Sequence, residues 1–103
     1  MGILSFLGIK SKSEKIQEFL EEKALIVDVR TPAEFKQGHL KTATNIPLDK
    51  INASLTKLKK NSQPIITVCR SGARSARAAA ILKSEGIKAM NGGAWNSLAK
   101  HVR

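Results

Sequence analysis

The sequence predicts an α/β domain built on a largely parallel sheet. Three observations predict it. Residues 24–30 and 64–69 are short, unbroken apolar runs rich in branched side chains, the composition of strands buried on both faces. Stretches of helical period lie between and around them, and the connections are short.

The elements follow in order. Ser11 with Glu14 three residues later fits a capping box, and Ile16, Phe19 and Leu20 then recur at helical spacing, so a helix runs to about Lys23. The strand at 24–30 comes next. Thr31-Pro32 ends it and opens a short helical turn through Phe35, which Gly38 breaks; residues 42–47 read as a short extended segment. Ile51, Leu55 and Leu58 give a second amphipathic helix, and the strand at 64–69 follows. A small-residue helix over 75–83 is stopped by Gly86. Residues 87–90 read as a third strand and 91–93 as a turn, and Trp95, Leu98, Ala99 and Val102 mark the apolar stripe of a last helix. In sheets of this kind ligands bind beyond the C-terminal ends of the strands. Cys69 stands at one such end and Arg30 at another.

A chain of 103 residues is expected to hold one domain, residues 11–103, behind a short apolar tail at 1–10. That tail lacks the leading positive charge of a secretory signal, and Phe6 stands where a myristoylation pattern requires Ser or Thr. No stretch approaches the ~18 apolar residues of a membrane span. One cysteine cannot form an intrachain disulfide, and with two histidines it makes a poor zinc site, so no metal is expected. A free thiol favours a reducing, cytoplasmic setting. The net charge of +10 raises nucleic acid as a partner, but the lysines are dispersed and only Phe6, Phe19, Phe35 and Trp95 are available for stacking. Solubility and attraction of small anions is the plainer reading.

The decisive stretch is Cys69-Arg70-Ser71-Gly72-Ala73-Arg74-Ser75. A buried strand delivers a cysteine into a short loop that opens directly into a helix. Unpaired N–H groups and the partial positive charge of a helix N-terminus stabilise an anion. Gly72 permits the backbone angles of an anion-binding nest, and Arg70 and Arg74 add two permanent cations. All three favour thiolate over thiol. The geometry alone leaves two chemistries open: attack on sulfane sulfur, and attack on a phosphate ester or arsenate.

This loop resembles the active-site loop of the rhodanese family. Upstream, residues 28–40 (DVRTPAEFKQGHL) and then Ala43, Asn45, Ile46 and Pro47 resemble that family's first signature; downstream, Gly92-Gly93 followed by Trp95 resembles its closing motif. The tryptophan follows the glycines after a single alanine, closer than in many relatives. The resemblance covers residues 24–99 or so. It implies a three-layer domain with a central, mostly parallel sheet flanked by helices, and a cysteine that cycles between thiolate and persulfide with neither metal nor organic cofactor. In that family a six-residue loop, here Cys69 to Arg74, goes with sulfur transfer, whereas related phosphatases and arsenate reductases have one residue more. Cys69 then maps onto the nucleophile, with the backbone from Arg70 through Ser71, Gly72, Ala73 and Arg74 to Ser75 as the cradle. Arg70 is the candidate for the sulfonate of a donor such as thiosulfate. Arg74 either steers anions or ties the loop to a carboxylate. Asp28, Arg30 and Glu34 are implied to form a buried ion-pair network under the site, with His39 structural and Trp95 in the core. The acceptor would be a thiol, cyanide in an assay, or a sulfur-relay protein. A persulfide carrier serving a partner protein is the alternative function.

Overall fold

The computed structural model describes residues 10–102. Helix α1 (Lys12–Glu21) starts at Ser11, whose hydroxyl accepts the Glu14 N–H while the Glu14 carboxylate accepts the Ser11 N–H. Strand β1 (Leu25–Asp28) leads into α2 (Pro32–Gln37), then β2 (Thr44–Asn45) and a 3-10 turn at Leu48–Lys50. Helix α3 (Ile51–Asn61), β3 (Ile65–Cys69), α4 (Ala73–Ser84), β4 (Ala89–Ala94) and α5 (Trp95–Leu98) complete the described chain.

The four strands form one parallel sheet in the order β2-β1-β3-β4. β3 lies in its interior and is buried at every position, as its unbroken run of Ile, Thr, Val and Cys requires. Its side chains feed two cores. Ile65 and Cys69 join Val27, Val29, Ile51, Leu58, Ala78 and Leu82 on the face covered by α3 and α4. Ile66 and Val68 join Ile16, Phe19, Ile26, Met90 and Leu98 on the face covered by α1 and α5. The molecule is therefore a three-layer α/β sandwich, as expected.

Several local expectations are corrected. Residues 91–93 are not a turn after the third strand; β4 runs through them to Ala94. Thr67 pairs with Asn91 and Val68 with Gly93, so Gly92 is the extra residue of a bulge. Gly92 can sit there because it has no side chain: a Cβ would come within 2.6 Å of Ile66 Cγ2 and 3.0 Å of the Thr67 carbonyl oxygen. Helix α4 begins at Ala73 rather than Ser75, and α5 is a single turn. The helical turn after β1 is firmer than its length suggests, because Thr31 and Glu34 form a second capping box with Pro32 inside it. The apolar tail lies, apart from Lys10, outside the described residues.

Candidate active site

Cys69 is the last residue of β3 and is fully buried. The chain turns at Gly72, whose φ of 104° lies in the left-handed region, and enters α4 at Ala73. Gly72 is the N-cap of α4 and offers no capping side chain. The cysteine sulfur takes that place: the Gly72 N–H reaches Sγ at 3.0 Å and the Ser75 N–H, in the first turn of α4, at 3.4 Å. The Ser75 hydroxyl is a further 3.3 Å contact. Burial pushes the Cys69 thiol up, but the Ser75 hydroxyl and the N–H groups of Ser75, Gly72 and Ser71 together outweigh it, so the net displacement is below the ordinary thiol value. The hydrogen bonds at the helix start, more than the two arginines, produce that lowering.

The arginines differ sharply. Arg74 is half-buried and donates to both carboxylate oxygens of Glu34, at 2.7 and 3.1 Å. Arg70 is exposed and forms no ion pair among the described residues. Ser71 and Ala73 are exposed as well.

The expected Asp28–Arg30–Glu34 network is two separate units. Asp28 and Arg30 are the buried one: Arg30 Nε and Nη2 donate to the Asp28 carboxylate at 2.7 to 3.1 Å. The same guanidinium donates to the carbonyl oxygens of Glu34 (3.3 Å) and Gly38 (2.8 Å), fastening the end of α2 to the sheet. Of Glu34, only its backbone joins this pair; its carboxylate is partly exposed and faces Arg74. The Arg30 guanidinium lies 4.7 Å over the Trp95 ring, so Trp95 is half-buried between the second core and this cation. His39 is exposed, stacks on Phe35 at 3.7 Å and bonds the Phe35 carbonyl oxygen through Nδ1 at 2.7 Å. It stays with α2 and makes no hydrogen bond to the loop.

Asn45, Asn91 and Lys12 take roles around the site that the sequence alone did not assign. Asn45 donates to the carbonyl oxygens of Asp28 and Arg30, both at 2.9 Å, pinning the end of β1. Asn91 accepts from the Ser75 hydroxyl at 2.6 Å and donates to the Gly72 carbonyl oxygen at 3.1 Å, joining β4 to the loop. Lys12 brings its ammonium over Gly93, where a Cβ would meet Nζ at 2.8 Å; Gly93 in turn abuts Gly72. A cleft of about 480 Å³ beside the loop is lined by Lys12, Ser71, Gly93 and His101 among others. An asparagine ahead of paired glycines was the only local signal for Asn91. Lys12 gave none, because only folding brings α1 beside β4.

The sequence profile of the rhodanese-like domain matches residues 12–97. The chain belongs to the rhodanese family. A sulfurtransferase of Allochromatium vinosum is 40% identical over 65 residues, which are 63% of this chain and 60% of that protein. A rhodanese-like domain protein of Staphylococcus aureus is 36% identical, with 81% of this chain and 86% of that one superposed at a TM-score of 0.64. The human single-domain sulfurtransferase TSTD1, at 23% identity, shares the fold over 87% of this chain and 94% of its own with a TM-score of 0.67. The chain spans 50–63% of the length of the first curated relatives it matches. The rhodanese-like domain thus accounts for nearly all of the described residues. Among these, no helix is long and apolar enough to cross a membrane.

Proposed function

We propose that this rhodanese domain is a sulfurtransferase that moves sulfane sulfur from a small anionic donor such as thiosulfate to a thiophilic acceptor through a persulfide on Cys69. The observation that carries the reading is the set of donors focused on one sulfur at a helix start, the N–H of Gly72, the N–H of Ser75 and the Ser75 hydroxyl. The Cys69 thiolate attacks the outer sulfur of the donor, a new S–S bond forms, and the old one breaks with its electron pair leaving on sulfite. The amides of the Arg70–Ser75 loop then face the charge on the outer sulfur. A thiol or cyanide attacks that outer sulfur, and the Cys69 thiolate leaves with the bonding pair. The two displacements make the cycle ping-pong.

Exposed Arg70 suits the donor's sulfonate, and Lys12 adds a second cation beside the loop. Arg74 acts as an anchor in this reading, since both of its bonds go to Glu34. That commitment also weighs against phosphoryl chemistry, because it leaves the cradle without a free loop-closing guanidinium for a dianionic group.

Intact-mass measurement tests the proposal. Thiosulfate should add one sulfur atom, about 32 Da, to the reduced protein, cyanide should remove it, and Cys69→Ser should show neither change. Absence of the adduct on the reduced wild-type chain overturns it.

A further inference from the structure

Ser75 Oγ has one proton and three acceptors within reach: Asn91 Oδ1 at 2.6 Å, the Gly72 carbonyl oxygen at 3.1 Å and Cys69 Sγ at 3.3 Å. A hydroxyl donates only once at a time. The Asn91 amide is itself held in one orientation, because its Oδ1 accepts the Gly93 N–H at 2.9 Å and its Nδ2 donates to the Gly72 carbonyl oxygen. The flipped amide would set NH2 against N–H and oxygen against oxygen. Since Asn91 already supplies Gly72, the competition for the Ser75 proton is between Asn91 Oδ1 and Cys69 Sγ.

We infer that Asn91 is a positioning residue that holds the Ser75 hydroxyl proton while Cys69 Sγ is uncharged and yields it to Sγ when the thiolate forms. In the thiol state, the Cys69 S–H donates to Ser75 Oγ, and Ser75 donates on to Asn91. When the thiol proton leaves to solvent, the hydroxyl turns about its Cβ–Oγ bond and donates to the thiolate, while Asn91 Oδ1 keeps the Gly93 N–H. When Sγ bonds to a second sulfur, its charge moves to the outer atom and the hydroxyl returns to Asn91. The hydroxyl's own turn makes and breaks no covalent bond. Asn91 thus favours the neutral forms of Sγ. A less stabilised thiolate attacks better and leaves more slowly, so the residue weights loading against discharge. The return on persulfide formation and this last consequence rest on the sulfurtransferase reading; the exchange between thiol and thiolate does not.

The charged groups placed around the sulfur and its neighbours are Arg70 in the loop, Arg74 on α4 with its partner Glu34, the Asp28–Arg30 pair at the end of β1, and Lys12 from α1. None of them hydrogen-bonds to Ser75 or Asn91, so the switch is separable from them. The chain has one cysteine and no tyrosine, so its ultraviolet thiolate absorbance reports on Cys69 alone.

The test is a pH titration of that absorbance on the reduced full chain, with no sulfur donor present. Asn91→Ala and the near-isosteric Asn91→Leu should each lower the midpoint by about half a pH unit, the scale of one net hydrogen bond. Ser75→Ala should raise it, and adding Asn91→Ala to Ser75→Ala should move nothing further. In single turnovers at a pH above both midpoints, where thiolate fraction no longer differs, Asn91→Leu should load from thiosulfate more slowly and discharge to cyanide faster than wild type. An unchanged or raised midpoint in both Asn91 variants overturns the inference, as does a shift that survives in the Ser75→Ala background. If the titration behaves as stated but wild type forms no persulfide, the role of Asn91 stands and the sulfurtransferase reading falls.

Discussion

Glu34 and Arg74, forty residues apart in the chain, meet through two hydrogen bonds of 2.7 and 3.1 Å that tie α2 to the first turn of α4. The same carboxylate accepts the Thr31 N–H at 2.9 Å, so the acid that caps one helix also anchors the loop before the other. The Arg74 guanidinium first, and the Thr31 N–H second, hold the Glu34 carboxyl at about 2, below its ordinary 4.5. A depressed carboxyl contributes stability that is present above its unfolded value and lost as pH falls through the folded one. Wild type should therefore lose stability between about pH 4.5 and pH 2 that Glu34→Gln never has, read as converging urea midpoints across that window. At neutral pH the partly exposed pair should be worth no more than about 1 kcal/mol.

The Asp28–Arg30 pair behaves differently because water cannot replace a lost partner. Both side chains are almost wholly enclosed. Asp28→Asn leaves the guanidinium buried without its counter-charge and should destabilise by about 3–5 kcal/mol in urea unfolding. Arg30→Lys should not be tolerated as a conservative change. One ammonium cannot span the carboxylate, the Glu34 and Gly38 carbonyl oxygens and the Trp95 face at once.

Two glycines separate steric from conformational need. At Gly92 an added methyl meets Ile66, Val68 and the Thr67 carbonyl oxygen, so Gly92→Ala should cost about 1–3 kcal/mol and disturb the bulge that carries Asn91. At Gly86 nothing lies within 4 Å of the added carbon, and only the φ of 80° resists. Gly86→Ala should cost about 1–2 kcal/mol and leave persulfide formation unchanged.

The two loop arginines should part company in kinetics. Arg70→Ala should raise the thiosulfate KM about five- to tenfold without changing the melting temperature, with Arg70→Lys restoring most of it. Arg74→Ala should lower the melting temperature and kcat together, since it releases the start of α4 from α2. Steady-state assays beside thermal melts distinguish the two patterns.

Much of this molecule was legible in the chain. The branched runs placed β1 and β3, because a strand covered on both faces needs apolar side chains at nearly every position. The step from β3 to a helix through Gly72 placed Cys69 where backbone N–H groups converge, which local geometry suffices to fix. The bulge at Gly92 was not legible. Paired glycines read as a turn, and only the packing of Ile66 and Val68 against that backbone makes them part of a strand.

Partner choice was likewise decided in three dimensions. Nothing in the sequence directs Glu34 to Arg74 rather than to Arg30, or Asn91 to Ser75, since hydrogen bonds depend on ångström distances between elements far apart in the chain. The sequence by itself determined the two central strands, the cysteine at the C-terminal end of one of them and the donors of its own loop. Tertiary structure alone decided which loop arginine is neutralised, which is left without an ion pair among the described residues and which residue contends for the Ser75 proton. Those depend on how α2, α4 and β4 are brought together, and charge and proton affinity follow that placement.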